Sequence, residues 1–230
     1  MTCILPERGG SLALAMSRID VSYARVAWCY DELAAVWSLG AIPRAKAAAV
    51  ADVVAGERVC FAGVGRGSDA LIAARAGAQV CAIDIAGAML NRLKARAAIA
   101  GLEIECRQTS LFEYAPTSPY DRVVANFALN VFDDDGLERA LDALVGWLRP
   151  GGVLAVADFA RSHDSLARWS LANAHYWPVA ISARALGLCA LHPIRDYRAG
   201  LEARGLELVS TRDIGFYRVQ HFERGQAGRK

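Results

Sequence analysis

Three alternating glycines next to an apolar run have the spacing of a nucleotide-type binding loop. The run RVCFAG at 58–63 ends with Gly63 and leads directly to Gly65 and Gly67. Glycine lets the backbone turn sharply and approach a ligand without an intervening Cβ atom. A helix that begins directly after these glycines would offer its exposed N–H groups to a phosphate or a carboxylate.

Asp84 is the second part of this candidate site. It ends the next apolar run, AQVCAID at 78–84, where a carboxylate can accept hydrogen bonds from both ribose hydroxyls of a bound nucleoside. The glycine pattern is GxGxG rather than GxGxxG, because Ser68 stands at the third position of the dinucleotide motif, and this argues against a nicotinamide cofactor. The alternative is that the glycines form a tight turn and Asp84 caps the following helix.

The segments around this loop alternate between short apolar runs and alanine-rich helical runs. The predicted strands are 58–63, 78–84, 102–108, 120–127 and 152–159, with two further β-like runs within 206–223. The predicted helices lie near 68–77, 86–99, 135–148, 162–190 and 192–205. Such alternation indicates a parallel sheet covered by helices on both faces, with its ligand site at the carboxyl ends of the strands.

Helical periodicity also precedes the first strand. Apolar side chains recur every three to four residues over 21–54, with a break at Gly40 and Pro43, so two helices are predicted there. The sequence has no internal repeat and no linker rich in Pro, Gly or Ser, which indicates one domain. The predicted bounds are a disordered extension at 1–19, an α/β domain at 20–224 and a frayed tail at 225–230.

The composition argues against several classes of function. The 230 residues carry 26 Lys and Arg against 24 Asp and Glu, for a formal net charge of +2. Because no run of like charges stands out, we expect no nucleic acid as a partner. Charged residues interrupt every apolar run before the roughly 18 to 20 residues of a membrane span, so no integral membrane segment is expected. Peripheral membrane contact and a homo-oligomer are left open.

Location and metal content follow from other simple patterns. The start MTCILPERGGSLALAMSRID lacks the basic, apolar and cleavage regions of a secretion signal, so a cytoplasmic location is expected. The six cysteines form no C-x-x-C pair, and reduced core thiols are expected. The four histidines have no spacing that suits a metal site with Cys or carboxylate partners, so we predict no metal.

Beyond these local signals, the chain resembles the class I S-adenosylmethionine-dependent methyltransferases. The resemblance depends on the glycine loop, Asp84, the AML segment at 88–90 and the LRPGG turn at 148–152, and it is sharp over 58–160. It implies a doubly wound, mostly parallel seven-stranded sheet whose last strand is antiparallel. It also implies S-adenosylmethionine as the cofactor and methyl transfer to a small, hydrophobic or aromatic acceptor.

The resemblance assigns roles to individual residues of the cofactor site. The three loop glycines would lie against the methionine moiety of S-adenosylmethionine, Asp84 would hold its ribose, and Met89 would cover its adenine. Ser110, after the third strand, and Asn126, after the fourth, complete the predicted set.

A lid is implied by the N-terminal helices at about 20–55 and by the helical insertion at 162–190, after strand five. The segment YDELAAVWSLG at 30–40 resembles the branch of the superfamily that methylates quinone precursors or phospholipid head groups, and Tyr30 would close over the cofactor. Tryptophans and tyrosines are frequent in both lid segments. An aromatic lining suits an apolar or planar acceptor.

Two positions depart from the pattern of the family. Phe61 stands where the family usually has an acidic residue that helps to hold the amino group of the cofactor, and Ser110 stands where it usually has one near the adenine. Each lost contact is worth about 1 to 3 kcal/mol when one partner is charged. Either other groups such as Arg66 or Asp69 complete the site, or the protein uses S-adenosylmethionine for non-methylating chemistry, or it is a non-catalytic ligand-binding protein.

Methyl transfer from a sulfonium is an in-line displacement, so the protein mainly has to position the acceptor and exclude water. Where the acceptor must lose a proton, a base within about 3 Å helps. The candidate catalytic bases are Asp158, at the end of the fifth strand, and His175, in the lid insertion. The alternatives are that Asp158 caps the next helix and that His175 is structural or exposed.

Overall fold

Seven strands form the sheet at the centre of the protein. The computed structural model describes residues 37–160, 166–185 and 191–226. In chain order the strands are β1 (Arg58–Ala62), β2 (Gln79–Asp84), β3 (Glu105–Gln108), β4 (Tyr120–Val124), β5 (Leu148–Phe159), β6 (Leu206–Ile214) and β7 (Tyr217–Arg224). Strands β1 to β5 pair in parallel, whereas β7 is antiparallel to both β5 and β6.

Helices connect and cover these strands in the described part of the chain. They are α1 (Ala41–Ala48), α2 (Ser68–Arg75), α3 (Gly87–Ile99), α4 (Asp134–Trp147), α5 (Leu166–Ala185) and α6 (Arg198–Glu202), with a 3₁₀ turn at Leu129–Val131. The strand order β3-β2-β1-β4-β5-β7-β6 confirms the predicted doubly wound, mostly parallel sheet of seven strands.

The strand order reverses at β1. From β1 the chain runs outward through β2 to β3, and it then returns to the other side of β1 to form β4 and β5. In open α/β sheets the ligand crevice lies at such a reversal, outside the carboxyl ends of the strands. The loop that follows β1 therefore lies where this sheet can bind a ligand.

Alternate side chains of the central strands pack on opposite faces of the sheet. Phe61 and Val124 are buried in a cluster with α1, α2 and α3. Cys60 and Val123 are buried in a second cluster, with α4 and α6. Successive strand residues point to opposite faces, so a sheet covered on both sides needs strands that are apolar at almost every position.

The helix predicted over 192–205 is wrong for most of its length, because only α6 is helical there. The Nε2 atom of His192 lies 2.7 Å from the carbonyl oxygen of Asn130, and the Arg195 guanidinium donates a 2.7 Å hydrogen bond to the carbonyl of Phe132. These contacts with the segment after β4 hold the residues before α6 in a non-helical path. Local periodicity contains no information about them.

Other boundaries also differ from the prediction, among them the start of β5, which is Leu148 instead of 152. Pro43 does not break the helical region; α1 begins after Gly40, whose φ is 77°, and Pro43 lies in its first turn. The N–H groups of a first turn have no acceptor within the helix, so proline is tolerated there. Strand β3 is shorter than the predicted 102–108 and begins at Glu105.

Part of the predicted lid is a core element. Ala45, Val50 and Val53 are buried in the same cluster as Tyr217 of β7, so this part of the segment at 20–55 packs on the sheet. Tyr30, the extension at 1–19, the first N-terminal helix and the two ends of the insertion at 162–190 lie outside the described residues. Among the described helices, none is long and apolar enough to cross a membrane.

Candidate functional site

Three glycines keep the loop after β1 in a left-handed path. Gly63, Gly65 and Gly67 have φ angles of 68°, 56° and 66°. Helix α2 begins at Ser68 with Gly67 as its N-cap residue, so its first turn opens onto the loop, as the glycine spacing predicts.

Packing requires only two of these glycines. A Cβ atom at Gly67 would lie 2.6 Å from the Cδ1 atom of Leu93 in α3, and one at Gly63 would lie 2.9 Å from the Cβ atom of Ala128. A Cβ atom at Gly65 would have no atom within 4 Å in the part of the chain that the structure describes. The middle of the loop therefore faces open space that a ligand can enter.

Asp84 holds the loop from the end of β2. Its Oδ2 atom accepts a 2.9 Å hydrogen bond from the Gly65 N–H, and its Oδ1 atom accepts a 2.9 Å hydrogen bond from the Ala86 N–H. The second contact joins Asp84 to Ala86, the residue directly before α3, and therefore agrees with the alternative interpretation that Asp84 caps this helix. A carboxylate can accept about four hydrogen bonds, so these two contacts are compatible with ribose hydroxyls at the same oxygens.

Met89 and Ser110 lie on the β2 and β3 side of the loop. Met89 is 1% exposed and packs with Ala86. The Ser110 Oγ atom accepts a 3.2 Å hydrogen bond from the Phe112 N–H, and its carbonyl accepts a 3.1 Å hydrogen bond from the Tyr114 N–H. Met89 therefore packs in the interior and Ser110 shapes a turn, and their contacts with a cofactor stay predictions.

Asn126 joins three elements at the end of β4. It is buried, its Nδ2 atom donates a 2.8 Å hydrogen bond to Oδ2 of Asp69 in α2, and its Oδ1 atom accepts a 3.0 Å hydrogen bond from the Ala157 N–H of β5. The Oδ1 atom of Asp69 is buried and has no hydrogen-bond partner among the described residues. Asn126 thus orients a carboxylate, while a direct contact between Asn126 and a cofactor stays a prediction.

Aromatic side chains continue from the loop along the carboxyl edge of the sheet. Phe127 precedes Ala128, which packs against Gly63, and its φ of 56° is uncommon outside glycine. The centroid of its ring lies 6.2 Å from that of Phe159 and 5.5 Å from that of Tyr217. We define the aromatic wall as Trp37, Phe127, Phe159, His175, Phe216 and Tyr217.

His175 of α5 is the member of this wall whose charge can change near neutral pH. Its ring stacks on Trp37 with centroids 5.5 Å apart, and its Nε2 atom lies 2.8 Å from the hydroxyl oxygen of Tyr217. Burial lowers the pKa of His175 below its ordinary 6.5, so the imidazole is neutral at pH 7. Within the described part of the chain, its Nδ1 atom has no hydrogen-bond partner, and it can accept a proton in the tautomer whose Nε2–H donates to the Tyr217 hydroxyl oxygen.

Asp158, the other predicted base, is buried in a hydrogen-bond network. Its Oδ1 atom accepts 2.8 Å hydrogen bonds from Nδ2 of Asn130 and from the Phe159 N–H, and its Oδ2 atom accepts one of 2.8 Å from the Tyr197 hydroxyl. Burial raises the pKa of Asp158. The structure shows no contact between Asp158 and His175 among the described residues. These bonds favour a structural role for Asp158, and its role as a base stays a prediction.

Comparison with known proteins identifies the family of this chain. Residues 59–152 match the family model described as a methyltransferase domain. The chain is 32% identical over 174 residues to the ubiquinone biosynthesis O-methyltransferase of Methylocella silvestris, with 70% of this chain and 66% of that protein covered. The chain belongs to the class I S-adenosylmethionine-dependent methyltransferases. The matched region spans about two thirds of the length of the curated relatives, from 64% to 66%.

Solved methyltransferase structures share the fold. The 1,6-didemethyltoxoflavin-N1-methyltransferase of Burkholderia thailandensis, with bound 1,6-didemethyltoxoflavin and S-adenosylhomocysteine, has a TM-score of 0.65 at 18% identity, covering 97% of this chain and 93% of that one. The magnesium protoporphyrin IX methyltransferase of Synechocystis PCC 6803, with bound S-adenosylmethionine, has a TM-score of 0.60 at 19% identity, covering 83% and 81%. At these identities the likeness concerns the fold alone.

S-adenosylmethionine is the cofactor of this family of methyltransferases, and the residues around the loop fit it. Asp84 places a carboxylate beside the loop, and among the described residues Gly65 has open space at its Cβ position and the Oδ1 atom of Asp69 has no hydrogen-bond partner. Within residues 37–160, 166–185 and 191–226, no group of three or more His, Cys, Asp or Glu side chains could hold a metal ion.

Most of the aromatic wall beside the loop was not predicted. Of its six members, only His175 is among the predicted site residues. The signal of the others in the sequence is weak, because an aromatic residue at a strand end has the same appearance whether it lines a site or fills a core. The left-handed φ of Phe127 can be seen only in the structure.

Proposed function

We propose that the protein transfers a methyl group from S-adenosylmethionine to a hydroxyl group of a small acceptor that contains an aromatic or similarly flat apolar ring. The observation that carries this proposal is the position of the aromatic wall, which begins beside the glycine loop and includes a neutral histidine. Ligand pockets lined by aromatic side chains and a few polar groups suit such acceptors. The O-methyltransferase among the relatives supports oxygen as the methylated atom.

The residues of the chain have three tasks in this proposal. When bound, S-adenosylmethionine supplies an electrophilic methyl group on a sulfonium. The loop and Asp84 orient the nucleoside and amino-acid parts, and the aromatic wall holds the acceptor and excludes water. His175 accepts the proton of the acceptor hydroxyl at Nδ1, while the Tyr217 hydroxyl fixes the ring through Nε2.

The test is an incubation of the purified protein with S-adenosylmethionine and, in separate reactions, catechol, a para-alkylphenol and indole. Mass spectrometry would measure S-adenosylhomocysteine and any product that is heavier by one methyl group. We expect catechol or the alkylphenol to be methylated and indole, which offers no hydroxyl, to remain unchanged. His175→Gln is the matched variant, because it removes the base and leaves the loop intact.

Two other outcomes would contradict the proposal in different ways. Consumption of S-adenosylmethionine without a methylated product would indicate non-methylating chemistry. Failure to bind S-adenosylmethionine or S-adenosylhomocysteine in a calorimetric titration would indicate a non-catalytic protein on the same fold. Methylation of indole alone would place the acceptor atom on nitrogen or carbon and refute the role of a hydroxyl.

A further inference from the structure

Asp69 has a buried carboxylate oxygen with no assigned task. The residue lies in the first turn of α2 and is 2% exposed. Its Oδ2 atom accepts the hydrogen bond from Asn126, whereas its Oδ1 atom has no hydrogen-bond partner among the described residues. A buried acceptor without a partner is unfavourable, and such an oxygen in a native protein needs an explanation.

The hydrogen bond from Asn126 accounts for only one of the two carboxylate oxygens of Asp69. Asn126 links Asp69 in α2 to the Ala157 N–H in β5, and this accounts for Oδ2 as part of the packing of the sheet. A purely structural role would be filled as well by a neutral amide at position 69. It does not explain why the second oxygen is buried with no hydrogen-bond donor among the described residues.

The place of Asp69 relative to the loop suggests what the second oxygen binds. Asp84 ends β2 on one side of β1, and Asn126 follows β4 on the other side. The glycine loop after β1 lies between them, and the Asn126 bond holds Asp69 on the β4 side. The two carboxylates therefore flank the loop, and a long ligand that crosses it meets Asp84 at one end and Asp69 at the other.

The chemistry of S-adenosylmethionine matches this arrangement. The molecule has a ribose with two hydroxyl donors at one end and an amino acid at the other, with an ammonium group that carries three donors. With the ribose at Asp84, the amino acid lies toward β4. An ammonium group and a buried carboxylate oxygen form a strong, charge-assisted hydrogen bond.

Phe61 makes this role of Asp69 more important. Its side chain is 1% exposed and belongs to the cluster beneath α2, on the face of the sheet that this helix covers. The strand therefore offers no polar side-chain atom at this position. An acidic group reaches this side of the loop from α2 instead of from β1.

We propose that Asp69, positioned by Asn126, binds the α-ammonium group of S-adenosylmethionine. It would replace the acidic residue that the family usually has at the position of Phe61 in β1. This inference depends on the proposed function, because it requires the adenosyl ligand to occupy the loop. Asp69 is a binding residue and Asn126 is a positioning residue.

The test compares Asp69→Asn with the wild type in calorimetric titrations with S-adenosylhomocysteine and with 5′-methylthioadenosine, which lacks the amino-acid part. Asparagine keeps the size of the side chain and an oxygen that can accept the Asn126 hydrogen bond. We expect the variant to bind S-adenosylhomocysteine about 10- to 100-fold more weakly, as for the loss of a hydrogen bond between charged groups. Binding of 5′-methylthioadenosine should stay within about twofold.

The control variant is Asp135→Asn, which removes an exposed acid from the first turn of another helix, α4. It should bind both ligands as the wild type does. A second measurement needs no variant: the wild type should bind an S-adenosylhomocysteine analogue without the α-ammonium group about 10- to 100-fold more weakly than S-adenosylhomocysteine itself. For Asp69→Asn this difference should disappear.

Each other result overturns the inference. Equal loss of both ligands would show that position 69 acts through the shape of the loop, and no loss would show that the ammonium group binds elsewhere. If the wild type binds neither ligand, the proposed function fails together with this inference. If the wild type binds both and Asp69→Asn is unchanged, only the role of Asp69 fails.

Discussion

Gly65→Ala separates a ligand requirement from a folding requirement within the glycine loop. Gly65 has a φ of 56°, and a Cβ atom there would have no atom of the described residues within 4 Å. The left-handed conformation costs alanine about 1 to 2 kcal/mol, of which about 0.4 to 1 kcal/mol is offset because the unfolded chain becomes less flexible. The net loss, at most about 1.6 kcal/mol, would lower the melting temperature by up to about 6 °C.

The effect of the same substitution on ligand binding should be larger. The added methyl group would project into the open side of the loop, where the cofactor would lie, and overpacking of this kind costs about 1 to 3 kcal/mol. We expect the dissociation constant for S-adenosylhomocysteine to rise by about 5- to 150-fold. Isothermal titration calorimetry would measure the affinity, and thermal unfolding followed by circular dichroism would measure the stability.

Gly101→Ala is the matched control. Gly101 has a φ of 66° and open space around its Cβ position, like Gly65, but it follows the carboxyl end of α3, at the edge of the sheet opposite the loop. It should lose the same stability and no affinity. Equal affinities for S-adenosylhomocysteine in the two variants would refute the assignment of the ligand to the loop. Gly67→Ala should lose more stability than either variant, because its Cβ atom would meet Leu93 at 2.6 Å.

Asp84→Ala should abolish measurable binding of both S-adenosylhomocysteine and 5′-methylthioadenosine, because it removes the ribose acceptor and the support of the Gly65 N–H; normal titration curves would refute this. Burial raises the pKa of Asp158 above its ordinary 3.8, so the native state retains this proton to a higher pH than the unfolded chain, and ionisation lowers the stability as the pH rises. Urea unfolding should therefore show that Asp158→Asn gains stability relative to the wild type as the pH rises from 4 to 7. If the difference in the free energy of unfolding stays constant over this range, the Asp158 carboxyl does not cause the pH dependence. His175→Gln should lower kcat/KM for the acceptor by about 100-fold or more. The wild-type rate should fall only below pH 6.5, since burial lowers the pKa of His175. If the rate of His175→Gln falls with acid pH in the same way as that of the wild type, His175 is not the base.

Local patterns were sufficient to predict the sheet and its loop. The alternation of apolar runs with helices predicted the parallel strands, and the glycine spacing predicted the loop and the start of α2 at Ser68. Asp84 could be chosen from its position alone, at the end of the strand after the loop. These features depend on the periods of strands and helices and on the backbone freedom of glycine, which are properties of neighbouring residues.

Sequence patterns predicted less about the end of β4 and the segment before α6, because contacts between distant residues determine both. The helix predicted over 192–205 shortened to α6, since His192 and Arg195 bond to the segment after β4. The position of Asn126 after the fourth strand was predicted, but its hydrogen bond to Asp69, 57 positions away, was not. No periodic pattern encodes such pairs.

The sequence by itself determined that the chain folds into a doubly wound sheet with a glycine loop and a carboxylate at the end of the second strand. The tertiary structure decided which side chains face that loop. It brought the Tyr217 hydroxyl of β7 within 2.8 Å of the His175 ring in α5, and among the described residues it left one buried oxygen of Asp69 without a hydrogen-bond partner. The physical reason is that periodicity determines which face of an element is buried, whereas the partners of a buried polar group depend on how separate elements pack together.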